Sequence, residues 1–178
     1  RDSKIIDKIY CFPGNAGTSL IAENINIDVS DFKNIKKKCE EKKIELIVVG
    51  PEKPLVDGIV EYFKDTKIKI FGPNKTSSQL EGSKTFTKKL CKEYKIPTAE
   101  FEIFSEEKSA LKYLSSIKYP MVVKADGLAS GKGVYICKNY KEGSLAISEI
   151  FGGRFGKADC VLVEEFLQGE EMSYFIVS

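Results

Sequence analysis

The chain has 178 residues, of which 42% are hydrophobic and 30% charged, a composition that fills one ordinary domain or two small ones and excludes a disordered chain. The absence of histidine removes Ser-His-Asp and Cys-His catalytic sets, H-E-x-x-H metalloproteases and every His-ligated zinc. A balance of 28 basic against 26 acidic residues, net +2, leaves no electrostatic footprint for nucleic acid, and no apolar run approaches the roughly 20 residues of a membrane span.

From the N-terminus, residues 8–12 read as a short strand running into a turn, Pro13-Gly-Asn-Ala-Gly-Thr18. Residues 31–43 carry a helical pattern with Ser30 as the expected N-cap and Phe32, Ile35 and Cys39 on one face. An apolar strand over 44–49 ends at Gly50-Pro51. A helix over 54–64 follows, with Leu55, Ile59 and Phe63 spaced by four, and then a strand over 67–71 that ends at Gly72-Pro73. This alternation predicts an α/β unit, a parallel sheet with helices on its faces. No convincing strand opens that unit before Ile5, so a preceding segment is expected.

The second half changes character. Ser83 is placed to cap a helix reaching about residue 94, with Phe86 and Leu90 four apart and Ile96-Pro97 as the stop. Phe101 and Ile103 alternate with charged residues as in a half-buried strand, and Ser105 opens a helix bearing Leu111 and Leu114. Four β-rich pieces follow at 121–124, 134–137, 161–164 and 172–177, interrupted by a helix over 142–151. Hairpin-like strands around helices predict an α+β module. The boundary is placed near residue 80, giving domains 1–80 and 81–178. The chain lacks an initiator Met, and 172–178 reads as a strand in progress, so a piece of a longer protein is expected.

Five cysteines, Cys11, Cys39, Cys91, Cys137 and Cys160, never fall within four residues of each other. That spacing suits neither a zinc ribbon nor a C-x-x-C pair, and an odd count suits no closed disulfide framework. They read as reduced structural thiols.

With histidine absent, chemistry must come from carboxylates, Lys, Arg, backbone amides or a bound cofactor. The most informative stretch is Lys124-Ala-Asp-Gly-Leu-Ala-Ser-Gly-Lys-Gly133. Glycines let backbone N–H groups approach and converge on phosphate oxygens. The stretch is not a Walker A loop: three residues separate Gly127 from Gly131, Gly133 stands where a Mg-binding hydroxyl belongs, and a strand rather than a helix follows. A flap between antiparallel strands, closing over a triphosphate, fits it. The glycines alone favour a ligand-free hairpin loop. Lys124 at the strand end and Lys132 in the loop tip the reading to phosphate.

The second stretch is Val161-Leu-Val-Glu-Glu-Phe-Leu-Gln-Gly-Glu-Glu171. Taken alone, its adjacent carboxylates read as a solvated strand end. The alternative is a hinge whose backbone pairs with the adenine edge, with a later carboxylate for the ribose hydroxyls.

Lys84, Lys124 and Glu164-Glu-Phe-Leu167 resemble the nucleotide-binding elements of the ATP-grasp fold. More narrowly, the chain resembles the phosphoribosylamine–glycine ligase family. Six ordered motifs carry that resemblance along nearly the whole chain: Pro13 to Thr18, Val49-Gly-Pro-Glu-Lys-Pro-Leu55, Ile70-Phe-Gly-Pro73, Gln79-Leu-Glu-Gly-Ser-Lys84, Ile96-Pro-Thr-Ala99 and Lys124 to Gly133. It implies a Rossmann-like pre-ATP-grasp domain followed by the first part of an ATP-grasp domain. The implied activity is ATP-dependent ligation of glycine to 5-phosphoribosylamine through a glycyl phosphate, a step of purine synthesis in the cytoplasm. Glycine and 5-phosphoribosylamine are then the small-molecule partners, with no nucleic acid or membrane and room for fusion to other purine-pathway domains.

Carried over by motif, Lys84 and Lys124 contact the nucleotide phosphates, and Gly127, Ser130, Gly131, Lys132 and Gly133 fall on the loop that covers them. Glu164, Glu165 and Leu167 match the adenine hinge, and Glu171 matches the ribose-binding carboxylate. In the first domain Glu52 is placed like a carboxylate that holds the amine substrate's ribose, and Gly14, Asn15 and Gly17 lie where its phosphate binds. Without the resemblance, Glu52 is a solvated turn carboxylate and 14–17 a tight turn. Two family features have no counterpart here: the opening strand with its G-x-G-x-R-E-H loop, and the C-terminal half with its Mg-binding Glu and Asn. ATP with Mg2+ or Mn2+ is therefore expected without metal ligands from this chain, and the 178 residues are expected not to turn over alone. Another ATP-grasp carboxylate–amine ligase and a non-catalytic nucleotide-binding module are the competing readings.

Overall fold

Parallel pairing organises the first half of the chain and antiparallel pairing the second. The structure is a computed structural model describing residues 2–128, 132–174 and 176. Two units separate between Gly82 and Ser83.

In the first unit, β1 (Tyr10–Cys11) pairs in parallel with β2 (Glu23–Asn24), and β3 (Leu46–Val48) with β4 (Lys69–Phe71). Between β2 and β3 runs α1 (Phe32–Glu41). Between β3 and β4 run α2 (Glu52–Asp57) and α3 (Ile59–Phe63). The crossover through α2 and α3 is what the parallel neighbours β3 and β4 require, because a tight turn can only reverse the chain. Ile35, Cys39, Leu55, Ile59 and Phe63 form the core, with Ile47 and Ile70 packed against it from the sheet. A short α4 (Gln79–Gly82) ends the unit.

Several sequence expectations shift here. The helix expected over 54–64 is two helices, broken where Gly58 takes a φ of +96°, a backbone state that side chains disfavour. The cap of α1 is Asp31 rather than Ser30. The Asp31 carboxylate accepts from Asn34 N–H at 3.1 Å, while Ser30 N–H donates to Asp28 Oδ1 at 2.8 Å. The expected single parallel sheet is two two-stranded ribbons. β2 escaped notice because two residues carry no readable period.

The second unit is built on a four-stranded antiparallel sheet in the order β5-β8-β6-β7. Its strands are β5 (Phe101–Phe104), β6 (Met121–Ala125), β7 (Val134–Cys137) and β8 (Val161–Glu165). Two helices, α6 (Glu107–Leu114) and α7 (Tyr140–Phe151), supply Ala110, Leu114, Ala146, Ile147 and Ile150 to a core shared with Met121, Val123, Ala125, Val161 and Val163 of the sheet. Because side chains alternate along strands, the other face carries Phe101, Ile103, Val122, Lys124, Leu162 and Glu164. Helix α5 (Lys84–Glu93) lies beside Phe101, whose ring sits 5.5 Å from Lys88 Nζ and 5.8 Å from Lys92 Nζ.

The expected cap Ser83 is found, accepting from Phe86 N–H at 3.1 Å. The N-cap of α6 is Glu106 instead of Ser105. Helix α7 starts two residues before the expected 142, because Asn139 caps it by accepting from Glu142 N–H at 3.0 Å. Of the strand expected over 172–177, Met172, Ser173 and Tyr174 have no strand pairing, and residues 175 and 177 lie outside the described set. No helix among the described residues is long and apolar enough to cross a membrane. All five cysteines are free.

Candidate functional site

The face of the second unit's sheet opposite α6 and α7 places charge where strands normally carry apolar side chains. Lys124 sits next to the end of β6 and Glu164 next to the end of the neighbouring β8. Lys124 Nζ donates to Glu164 Oε2 at 2.7 Å, and Lys88 Nζ of α5 lies 3.4 Å from the same oxygen. Glu164 is only 4% exposed. A solvated strand end is thus the wrong description of Glu164, although Glu165, one residue on, is exposed. A buried carboxylate persists only with cationic or hydrogen-bonding partners, and two lysines supply them.

The loop from β6 to β7 begins in a clasp with α5. Asp126 accepts from Ser83 Oγ at 3.1–3.2 Å and from Thr85 N–H at 3.1 Å, so this carboxylate holds the first turn of the helix. Lys84 lies between those two residues, and its Nζ donates to the Gly127 carbonyl at 3.0 Å. Burial pushes the Asp126 carboxyl upward in pKa. The backbone N–H groups of Thr85 and Gly127 and the Ser83 hydroxyl outweigh it, and the net result lies below the ordinary 3.8. A negative side chain at a helix N-terminus also complements the helix dipole. The Cys160 thiol lies 3.3 Å from Thr85 Oγ1 and 3.6 Å from Asp126 Oδ2. Burial raises its pKa, which opposes a thiolate role.

The far end of the loop is equally fixed. Gly133 is buried with φ +73°, its carbonyl accepts from Ala125 N–H at 2.8 Å, and a Cβ there would stand 3.0 Å from the Ala125 Cβ. Lys132 is exposed. Ser130 and Gly131 lie outside the described residues. The loop therefore springs from two antiparallel strands, as its sequence suggests, with Lys124 and Lys84 both at its root.

Beyond β8, Leu167 is 63% exposed and Glu171 is exposed. Glu165 N–H is already bonded to the Glu100 carbonyl at 2.9 Å. Any backbone donor for a ligand on this segment must come from a later residue.

In the first unit, the 13–18 turn is held from within. Asn15 Oδ1 accepts from Thr18 N–H at 3.0 Å, Asn15 N–H donates to Thr18 Oγ1 at 2.8 Å, and Asn24 Nδ2 donates to the Asn15 carbonyl at 2.7 Å. Gly14 takes a φ of +81°, whereas Gly17 is an ordinary right-handed residue preceding a short 3-10 turn. Glu52 is exposed in the first turn of α2.

Two residues central to this arrangement were not assigned a role from sequence. Asp126 lies within the glycine-rich stretch, and a carboxylate next to a glycine at a strand end is itself a signal that it bonds to a neighbouring element. Lys88 follows Lys84 by one helical turn, a spacing that puts both on neighbouring positions of α5.

Comparison with known proteins agrees along the whole chain. The family model described as phosphoribosylglycinamide synthetase, N domain, matches residues 1–81, and that for the ATP-grasp (A) domain of the same synthetase matches residues 82–178. The phosphoribosylamine–glycine ligase of Haemophilus influenzae is 47% identical, covering 98% of this chain and 42% of the relative. The chain thus spans less than half the length of the curated relatives it matches. The crystal structure of the phosphoribosylamine–glycine ligase of Thermotoga maritima superposes with a TM-score of 0.71 at 31% identity, over 92% of this chain and 39% of that one. The biotin carboxylase domain of the Hydrogenobacter thermophilus 2-oxoglutarate carboxylase, solved with MgADP and bicarbonate, gives a TM-score of 0.69 at 20% identity, over 90% of this chain and 39% of that one, a likeness of fold. On these matches, the chain belongs to the phosphoribosylglycinamide synthetase family.

Proposed function

We propose that this chain is the nucleotide-gripping part of an enzyme that uses ATP to join glycine to 5-phosphoribosylamine. The observation carrying the proposal is the root of the glycine-rich loop, where Lys84 donates to the Gly127 carbonyl and Lys124, three residues before it on β6, is held by Glu164 of the neighbouring strand. Two cations at the root of a glycine-rich loop suit the phosphates of a nucleoside triphosphate.

The chemistry follows from the substrates. A carboxylate is a poor electrophile, and glycine must gain a leaving group before an amine can attack it. Transfer of the terminal phosphoryl group of ATP to a glycine carboxylate oxygen gives an acyl phosphate and ADP. The phosphoribosylamine nitrogen then attacks the acyl carbon and phosphate departs. The protein's share is positioning, charge neutralisation and exclusion of water from a hydrolysable intermediate. Lys84 and Lys124 neutralise phosphate oxygens, and Gly127, Ser130, Gly131, Lys132 and Gly133 cover them. The segment from Glu164 to Leu167 receives adenine. Its N–H donation falls after Glu165, whose own N–H is spent on Glu100. Glu171 takes the ribose hydroxyls.

The amine substrate is assigned to Gly14, Asn15, Gly17 and Glu52. Asn15 contributes by shaping the turn, since its side chain is occupied there. Among the described residues no group of three or more carboxylates or thiols is placed to hold a metal. Five free thiols suit a reducing cytoplasm.

The test uses a chain of the relatives' full length. ADP release should require glycine and 5-phosphoribosylamine together. Equal release with other carboxylic acids or amines would contradict the substrate assignment.

A further inference from the structure

Glu164 is a carboxylate with an unfinished set of partners. Its side chain is 3% exposed, Oε2 receives both Lys124 and Lys88, and Oε1 is buried with no hydrogen-bond partner among the described residues. The two lysines are not equivalent. Lys88 is 11% exposed and tied down: its Nζ donates to Thr98 Oγ1 at 2.7 Å and to the Ala99 carbonyl at 3.1 Å, and it lies over the Phe101 ring. Lys124 is 26% exposed and sits at the root of the glycine-rich loop.

This asymmetry matters once Lys124 is asked to meet a phosphate. An ammonium held against a buried carboxylate is already engaged in neutralising it. Withdrawing it strands the carboxylate in a low-dielectric place, and breaking one side of a buried pair is strongly unfavourable. A second, immobile cation on the same oxygen removes that obstacle.

Resting on the nucleotide-binding reading, we propose that Lys88 is a positioning residue. It is the resident counter-ion of Glu164, and it frees Lys124 to shift its charge onto the phosphates of a nucleoside triphosphate. Lys88 itself touches no substrate. Its effect runs through Glu164 to Lys124, and it therefore depends on the Glu164 charge.

That dependence supplies the experiment. Affinity for Mg-ATP is measured by calorimetry on the relatives' full-length chain, for the parent, Lys88→Gln, Lys88→Arg, Glu164→Gln and the double variant, with a melting curve for each. Gln at 88 keeps a donor for the Thr98 and Ala99 oxygens while removing the charge. Lys88→Gln should weaken Mg-ATP binding about tenfold in the Glu164 parent and less than about twofold in the Glu164→Gln background, with Lys88→Arg close to the parent. A purely structural tie from α5 to residues 98–99 would lower the melting temperature equally in both backgrounds and would leave no coupling in affinity. Equal losses in the two backgrounds, or no loss in a folded Lys88→Gln chain, overturn the proposal. Should Lys88→Gln fold only when Glu164 is also neutralised, the charge coupling is upheld. Failure of both to fold overturns it. Absence of Mg-ATP binding by the parent would instead contradict the nucleotide reading itself.

Discussion

The two units treat nearly the same strand material in opposite ways. In the first unit Leu46, Val48 and Phe71 of the β3–β4 ribbon are 54%, 67% and 63% exposed, and only Ile47 and Ile70 reach the core. In the second unit Val161, Leu162, Val163 and Glu164 are all buried, so β8 is covered on both faces. Apolar alternation alone does not decide burial; the number of neighbours across the sheet does. A central strand with β5 on one side and β6 on the other is dry enough to make a carboxylate depend on its partners. The unit with the dry central strand is also the one in which Lys88 and Lys124 converge on a buried carboxylate.

The sharpest way to break this comparison is to remove core volume. Ile147 is fully buried between α7 and the sheet, and Ile147→Ala should cost about 2–5 kcal/mol in urea unfolding. Val48→Ala, at an exposed strand position, should change stability by less than about 0.5 kcal/mol. Similar losses at both positions would erase the distinction between the units.

A second pair of substitutions separates crowding from backbone strain. Gly14 has φ +81°, and a Cβ there would lie 2.2 Å from Asn24 Oδ1, inside the network that ties the 13–18 turn to β2. Gly127 has φ +89° with nothing within 4 Å of such a Cβ. Gly14→Ala should therefore destabilise by about 2–3 kcal/mol, and Gly127→Ala by about 1 kcal/mol, the backbone strain alone. Equal melting shifts would mean that the turn yields freely around Asn24.

A smaller effect tests the clasp between α5 and the loop. The Asp126 carboxyl is held below its ordinary 3.8, so the ionised group favours the folded state. That contribution is complete above pH 3.8 and is lost as the pH falls from there through the lower folded-state value. Asp126→Asn should cost about 1 kcal/mol at neutral pH, the usual net worth of an intramolecular hydrogen bond. The gap between parent and variant should close as the pH is lowered through that range. A gap independent of pH would deny the carboxylate its role at Ser83 and Thr85.

How far the sequence foretold this arrangement depends on the distance between partners. The Ser83 cap was legible because its acceptor role is completed three residues away, at Phe86. The loop between antiparallel strands was legible because Lys124 and Val134, which pair directly, bracket one glycine-rich stretch. The clasp was not, since Asp126 and Ser83 are 43 residues apart, and neither side chain announces the other. Lys88 was hidden for the same reason: on α5 it reads as one more solvated lysine, and only the position of β8 turns it towards Glu164. The Asp31 cap, the break at Gly58 and the two-residue β2 were missed at the other extreme of scale. They rest on single hydrogen bonds and single dihedral angles that periodicity does not resolve.

The central claim is that the root of the glycine-rich loop grips a triphosphate through its two lysines, and Mg-ATP affinity of the Lys124→Ala chain tests it most directly. Loss of a charge-assisted contact of about 1.5–3 kcal/mol predicts a dissociation constant raised roughly tenfold to hundredfold. A folded Lys124→Ala chain that binds Mg-ATP as tightly as the parent would contradict the account.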